Sequence, residues 1–106
     1  MKIIDGGVTA AKGFKAAGMH AGIKKGTKKD MAMIVSSAPC MAAGTFTTNL
    51  VKAAPVKWDQ HVVYEHGEAR AVVVNSGIAN ACTGAEGYGY CEETAKAGAE
   101  ALGIDK

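Results

Sequence analysis

A threonine and a glycine, Thr83-Gly84, close a loop of small polar residues that could hold negative charge. The loop runs from Asn75 to Gly84 and carries little side-chain bulk, so backbone N–H groups can approach a ligand closely. Thr83 and Glu86 have the S/T-x-x-E spacing of a capping box, which predicts that a helix begins here. Unpaired N–H groups and the helix dipole favour an anion at a helix start. The pattern therefore predicts an anion-binding loop.

Other kinds of site find little support in the sequence. From Gly87 the sequence reads GYGYCE, which has the first two glycines of the G-x-G-x-x-G dinucleotide fingerprint but not the third. GTFTTN lacks the GK[ST] of a P-loop. The histidines and cysteines lack zinc-site spacing, and we expect no metal, no cofactor and no catalytic role for His20, His61 or His66. Three cysteines without a CxxC pair indicate reduced thiols in a cytosolic protein.

Three ordered blocks of the sequence resemble one enzyme family. The loop reads NSGIANACTG, close to the NSGNANACTG signature of the ornithine acetyltransferases, or glutamate N-acetyltransferases. Upstream, GVTAAKGFKAAGMHAGIK and GTFTTNLVKAAPV are similar to that family's N-terminal blocks, in the same order. The resemblance covers roughly residues 7–103. It departs from the family at Ile78, where Asn is usual, and at Cys40 and Met41, in a segment usually rich in Ala.

The resemblance implies a fold and an activity. The fold is α/β, a fragment of a layered αββα-type arrangement with a mixed sheet and a C-terminal helix. Residues 1–106 would be a single incomplete domain, the N-terminal portion of the α chain. The activity is acetyl transfer from N-acetylornithine to glutamate in arginine biosynthesis, with acetyl-CoA left open as a further donor. In the family the pair matching Thr83 and Gly84 forms the oxyanion hole, so these residues are expected to stabilise charge on the acyl carbonyl.

The resemblance also implies that the nucleophile lies elsewhere. The family's precursor cuts itself before a threonine, which then begins the β chain and can use its own amine as general base. None of the chain's threonines lies in a context like that cleavage site. We therefore expect this chain to pair with its own β chain, in an α2β2 assembly, and to be inactive alone. Two alternatives stay open: a stand-alone module that binds small anions, and an inactive fragment.

The loop is expected to follow a buried strand. Ala71–Val74 is an unbroken apolar run that ends at Asn75. A short apolar run bounded by turn residues is typical of a strand buried on both faces. We therefore predict that this segment is the central strand of the sheet.

Three further strands are predicted earlier in the chain. Phe14–Lys24 is expected to be extended and to pair with Met31–Val35 across a hairpin turn at Lys24–Asp30. Pro39 lacks an N–H group and is expected to end this pairing. Ala42–Thr47, with β-branched and aromatic residues, is predicted as the next strand.

Two helices are predicted. A short one is expected from Pro55 to about Glu65, because proline favours the first helical position. The second is C-terminal and ends at Gly103, a residue type that favours the position after a helix. Its apolar face is predicted from a helical spacing of small and apolar residues: Cys91, Ala95, Gly98 and Leu102.

Composition limits the partners of the chain. Its 106 residues allow one small domain with a thin core, and 48% apolar residues argue against disorder. A net charge of +2 is too small to indicate a nucleic-acid or membrane partner, and the lysines of Lys24–Asp30 are typical of a solvated turn. No apolar run is long enough to span a membrane, and the first residues do not resemble a signal peptide.

Overall fold

Strands and helices alternate irregularly along the chain. The structure is a computed structural model that describes residues 1–105. In chain order the elements are a 3₁₀ turn (Val8–Ala10), β1 (Phe14–Met19), β2 (Met31–Met41), α1 (Ala54–His61), a π-helical turn (Val62–His66), β3 (Glu68–Asn75) and α2 (Gly84–Leu102). The predicted α/β class with a C-terminal helix is therefore confirmed.

The elements fall into two compact units. The first combines residues 1–40 with 69–78, and the second combines residues 41–68 with the described residues from 79 onward. Nearly all of the sheet belongs to the first unit, and both α-helices belong to the second.

The sheet is built around the pairing of β1 with β2. The strand order is β1-β2-β3, and β1 runs antiparallel to β2 from the pair Phe14 and Ser36 to the pair Met19 and Met31. The predicted pairing is thus confirmed, although β1 ends at Met19 and not at Lys24. At the start of β2 the Asp30 carbonyl accepts the N–H of Ser76 at 2.9 Å, just beyond the end of β3. The start of β2 therefore lies beside the end of β3, and these two strands are antiparallel as well, so the sheet in residues 1–105 is antiparallel and not mixed as expected.

The prediction that Ala71–Val74 is a central strand buried on both faces is wrong. The strand exists, as part of β3, but β3 lies at one edge of the three-stranded sheet. Val72 and Val74 are 54% and 46% exposed, whereas Ala71 and Val73 are half-buried. Side chains alternate between the two faces of a strand, so one face of β3 is partly covered and the other is open.

Two further strand predictions need correction. β2 does not end at Val35 but continues through Pro39 to Met41, although its pairing with β1 ends at Ser36, before the proline, as predicted. Ala42–Thr47 is not a strand. Instead, the Phe46 ring packs edge to face against Tyr64, with ring centroids 5.6 Å apart. The aromatic residue that suggested a strand serves to cover the turn after α1.

A buried carboxylate organises the connection between β1 and β2. Asp30 is 3% exposed, and its Oδ1 accepts the N–H of Ala21 at 2.6 Å. Its Oδ2 accepts the N–H groups of Ile23 and Lys24 at 2.8 Å and 2.9 Å. A carboxylate is an acceptor with several lone pairs, so one side chain satisfies three backbone donors of a tight turn. The Asp30 N–H also donates to the Met19 carbonyl at 3.0 Å, which joins the turn to β1.

The ionised form of this carboxylate is favoured. Backbone N–H donors, that of Ala21 first, lower the pKa of Asp30, and His20 adds to the effect against the opposing effect of burial. His20 Nδ1 lies 3.3 Å from Asp30 Oδ2 and 3.0 Å from the Lys28 carbonyl. Both partners are acceptors, so Nδ1 carries the hydrogen. His20 therefore has a structural place in the turn.

The second unit is held by the contact between α1 and α2. Ala54, 5% exposed, lies at the start of α1, and the rings of Trp58 and Tyr88 have centroids 5.8 Å apart. The predicted face of α2 is confirmed. Its members are half-buried beside the buried Ala99: Cys91, Ala95, Gly98 and Leu102. Neither helix, nor any other helix in residues 1–105, is long and apolar enough to cross a membrane.

The C-terminal end of α2 also follows the prediction, and its cysteine is a packing residue. Gly103 has φ 65°, and the Ile104 N–H donates to the Ala99 carbonyl at 3.0 Å, as in a Schellman motif. Burial, with a smaller contribution from the Asp59 carboxylate, raises the pKa of the Cys91 thiol. Cys91 is therefore a neutral packing residue.

We expect Asp30→Asn to lower the melting temperature at pH 7. Asparagine presents one oxygen and an NH₂ group, so it cannot accept the N–H groups of Ala21, Ile23 and Lys24 together. Because the pKa of Asp30 is lower in the folded state, its contribution is complete above the unfolded value of about 3.9 and is lost as pH falls through the folded value.

Thermal melting by circular dichroism between pH 7 and pH 2 tests this prediction. The gap between parent and Asp30→Asn should close at the acid end. Asp5→Asn, at an exposed carboxylate in the N-terminal segment, is the matched control and should melt with the parent throughout. Equal melting of parent and Asp30→Asn at pH 7 would show that the turn does not depend on this carboxylate.

Candidate functional site

The two predicted site residues lie at an open cavity in the second unit. The cavity has a volume of about 310 Å³. It brings the start of α2 together with the segment that leads into α1, which is distant in sequence. The lining residues are Leu50, Val51, Lys52, Ala54, Lys57, Cys82, Thr83 and Gly84.

The backbone alternates in handedness along Cys82, Thr83 and Gly84, where α2 begins. Cys82 has φ 58°, Thr83 has φ −91° and ψ 2°, and Gly84 has φ 62°. Such alternation turns successive N–H groups toward one side and makes an anion-binding concavity, known as a nest. Gly84 accepts its left-handed conformation without a Cβ clash. Cys82 is the one non-glycine residue in residues 1–105 with positive φ, at a cost of about 1–3 kcal/mol.

The first turn of α2 adds further donors. Gly84 is the first residue of the helix, as the sequence predicts, and Thr83 is its N-cap. The first N–H groups of any helix have no acceptor within the helix, and the helix dipole gives this end a partial positive charge. A negative charge in the cavity would therefore meet both the nest and the helix start.

The predicted capping box is wrong. Within the described chain no hydrogen bond from the Thr83 side chain caps α2; its Oγ1 donates instead to the Asn80 carbonyl, at 3.4 Å. The Glu86 carboxylate accepts a hydrogen bond from the Tyr90 hydroxyl, one turn further along α2. Thr83 therefore occupies the N-cap position while its hydroxyl makes only a long and weak bond. That hydroxyl can be redirected at little cost.

The loop before α2 is attached to α1. The Ala54 N–H, at the start of α1, donates to the Asn80 carbonyl of the loop at 3.3 Å. The same carbonyl oxygen also accepts the hydrogen bond from the Thr83 hydroxyl. The segment that precedes α1 is ordered by local turns, since Asn49 N–H donates to Thr47 Oγ1 at 3.2 Å and Val51 N–H to Asn49 Oδ1 at 3.0 Å. These turns bring residues 50–52 to the cavity.

The charge of the cavity is positive. Its two charged lining residues, Lys52 and Lys57, are both cationic. Lysines, the nest and the helix start all favour an anion or a developing negative charge. The predicted anion-binding character of the loop thus agrees with the charges of its surroundings. Among residues 1–105, no group of three His, Cys, Asp or Glu side chains could hold a metal ion.

The sequence predicts Thr83 and Gly84 as site residues but not Lys52 and Lys57, which line the same cavity. Lys52 belongs to GTFTTNLVKAAPV, which carries part of the family resemblance. The signal was available in the turn-forming Thr47-Thr48-Asn49 followed by Pro55 at a helix start, which indicates a sharply folded approach to α1. The positive φ of Cys82 could not be predicted, because cysteine does not favour this conformation.

Comparison with known proteins identifies the family. The model of the ArgJ family matches residues 15–106. The chain is 55% identical over 101 residues to the arginine biosynthesis bifunctional protein ArgJ of Gloeobacter violaceus, covering 95% of this chain and 25% of that protein. It is 55% identical over 106 residues to the protein of the same name from Symbiobacterium thermophilum, covering 98% and 26%. The chain thus spans about a quarter of the length of these curated relatives.

Two solved structures share its fold. The crystal structure of the Bacillus halodurans arginine biosynthesis bifunctional protein ArgJ aligns with a TM-score of 0.88 and 44% identity, over 94% of this chain and 52% of that one. The Mycobacterium tuberculosis ornithine acetyltransferase, complexed with ornithine, aligns with a TM-score of 0.85 and 52% identity, over 91% and 50%. The family resemblance of the three sequence blocks is confirmed, and the chain belongs to the ArgJ family.

Proposed function

We propose that this chain is the N-terminal portion of the α chain of a glutamate N-acetyltransferase in arginine biosynthesis, where it supplies the oxyanion hole. One observation carries the proposal: the backbone alternates in handedness at Cys82, Thr83 and Gly84, and these residues line a cavity with two lysines at the start of a helix. The family supports it, because its members are named arginine biosynthesis bifunctional proteins and one related acetyltransferase was solved with ornithine.

The reaction needs such donors when negative charge develops on the acyl oxygen. The hydroxyl oxygen of a threonine nucleophile attacks the acetyl carbon of N-acetylornithine, and the carbonyl π electrons move onto the oxygen. The resulting oxyanion collapses, the C–N bond breaks, and ornithine leaves after its nitrogen gains a proton. The amine of glutamate then attacks the acetyl-enzyme through the same kind of intermediate. Both halves develop charge on one oxygen, so one fixed pair of donors serves both.

Thr83 and Gly84 are the donors in this proposal. The Gly84 N–H belongs to the first turn of α2, where it has no acceptor within the helix. The Thr83 hydroxyl gives up only a 3.4 Å bond to the Asn80 carbonyl when it turns to the oxyanion. The Gly84 N–H is held by the backbone before charge appears and the Thr83 hydroxyl needs only to rotate, so little reorganisation is required, which is the basis of oxyanion-hole catalysis.

The rest of the active site belongs to other parts of the enzyme. The nucleophile would be the first residue of a β chain that self-cleavage releases, and its own amine would act as general base. The assembled enzyme would be an α2β2 heterotetramer without metal or cofactor. Its place would be the cytoplasm, where the free thiols of Cys40, Cys82 and Cys91 stay reduced, although maize has a relative named as chloroplastic.

Thr83→Ala in the full-length enzyme should lower kcat by ~100-fold or more, with a smaller change in KM, because the hydroxyl matters most once charge develops. Thr83→Ser keeps a hydroxyl and should lose much less. Steady-state kinetics of acetyl transfer from N-acetylornithine to glutamate measures both variants. The contrary result is a cooler melt with parental kcat in Thr83→Ala, which would leave Thr83 with a structural role only.

The 106-residue chain by itself should transfer no acetyl group from N-acetylornithine to glutamate, because it would lack the nucleophile. Mass spectrometry of the full-length enzyme should show two polypeptides, one of them with threonine at its N-terminus. Adding that second polypeptide to this α-chain segment and the remainder of the α chain should restore turnover. Turnover by the isolated chain above the buffer background would contradict the division of the active site.

A further inference from the structure

We propose that Gly87, inside α2, is the residue that positions Thr83, and this inference rests on the proposed function. A Cβ atom built on Gly87 would overlap both Oγ1 and Cβ of Thr83, closer than any non-bonded contact allows. The Gly87 N–H also donates to the Thr83 carbonyl at 3.1 Å, the first hydrogen bond of the helix. Thr83 can therefore lie against the first turn of α2 only because residue 87 has no side chain.

Helix packing does not explain this glycine. Gly87 is buried and faces α1, where small residues often allow close approach. The same built Cβ, however, lies 3.5 Å from the Cβ of Ala54, which is an ordinary van der Waals contact. The α1–α2 contact would thus accept a methyl group at this position. The conflict is with Thr83, which lines the cavity, and not with the packing of the helices.

A second glycine in the same helix provides the contrast. A Cβ built on Gly89 has no neighbour within 4 Å. Alanine is a better helix former than glycine, so Gly89→Ala is expected to favour α2. Gly87→Ala carries the same gain in helix propensity and adds the overlap with Thr83. Apart from the ordinary contact with Ala54, the two substitutions differ in the space that Thr83 needs.

The overlap would move the donors themselves. Because it includes the Cβ of Thr83, no change of side-chain rotamer removes it, and the backbone at the N-cap must shift. The Thr83 hydroxyl and the adjacent Gly84 N–H would shift with it. Small misplacements of groups that stabilise a transition state reduce the rate of the chemical step more than substrate binding. Gly87 would thus be a positioning residue that acts through Thr83.

The test is a double-mutant cycle in the full-length acetyltransferase. The variants are Gly87→Ala, Thr83→Gly, both together, and the control Gly89→Ala. Gly87→Ala should lower kcat by roughly 10- to 100-fold with little change in KM, because the donors remain but are displaced. Gly89→Ala should keep the parental kcat. Thr83→Gly removes both overlapping atoms, so adding Gly87→Ala to it should lower kcat no further.

Melting temperatures provide a readout that does not depend on catalysis. Gly87→Ala should lower the melting temperature of the parent but raise that of Thr83→Gly. Gly89→Ala should raise the melting temperature in either background. If Gly87→Ala alone does not fold, recovery of folding in the double variant supports the inference, and failure to recover overturns it. Equal effects of Gly87→Ala on melting in both backgrounds, or on kcat where Thr83→Ala is itself impaired, would also overturn it.

Thr83→Ala, measured beside the cycle, separates the two proposals. Parental kcat in Thr83→Ala would remove the oxyanion role of Thr83, and the melting cycle would still decide whether Gly87 makes room for it. An impaired Thr83→Ala beside a fully active Gly87→Ala would instead keep the oxyanion role and reject the positioning role.

Discussion

The carboxylate of Asp30 is the interaction on which the first unit depends. The described residues bury few apolar side chains completely, and Asp30 and Ser36 are among the residues that are buried. A thin core cannot define the path of a long connection by packing alone. Hydrogen bonds from Ala21, Ile23 and Lys24 to one carboxylate do so instead, and the backbone of the same residue joins β1 to the segment after β3. One polar side chain thereby takes the place of an apolar cluster.

The second unit is held together by the close approach of α1 and α2. Ala54 is small and buried, so α1 and the first turn of α2 come together, with Trp58 and Tyr88 beside them. The loop before α2 is tied to α1 through the Asn80 carbonyl. The cavity at Thr83 and Gly84 therefore belongs to the helix pair, and its lysines come from the chain that enters α1 and from α1 itself.

Local patterns predicted the parts of the structure that local chemistry determines. The hairpin, the half-buried face of α2 and the position of Thr83 and Gly84 at a helix start follow from turn residues and helical spacing. The open face of β3 could not be predicted, because an apolar run predicts a strand but does not indicate which other elements cover its two faces. The hydroxyl of Thr83 likewise bonds to Asn80 and not to the helix, since a residue type does not determine its rotamer. Cys82 and Gly87 matter through backbone geometry, which a single sequence does not reveal.

The first turns of α2 are rich in glycine, at residues 84, 87 and 89. Inside a helix glycine is less favourable than alanine by about 1 kcal/mol, which applies to Gly87 and Gly89, whereas the C-terminal half of α2 has one glycine, Gly98, among its alanines and ends in a Schellman motif. Local stability is therefore uneven along one helix. Amide hydrogen exchange should be fastest at the turn that carries Thr83 and Gly84 and should slow toward Ala99. The end of α2 that faces the cavity is thus the end that opens most readily, and a bound anion would protect it first.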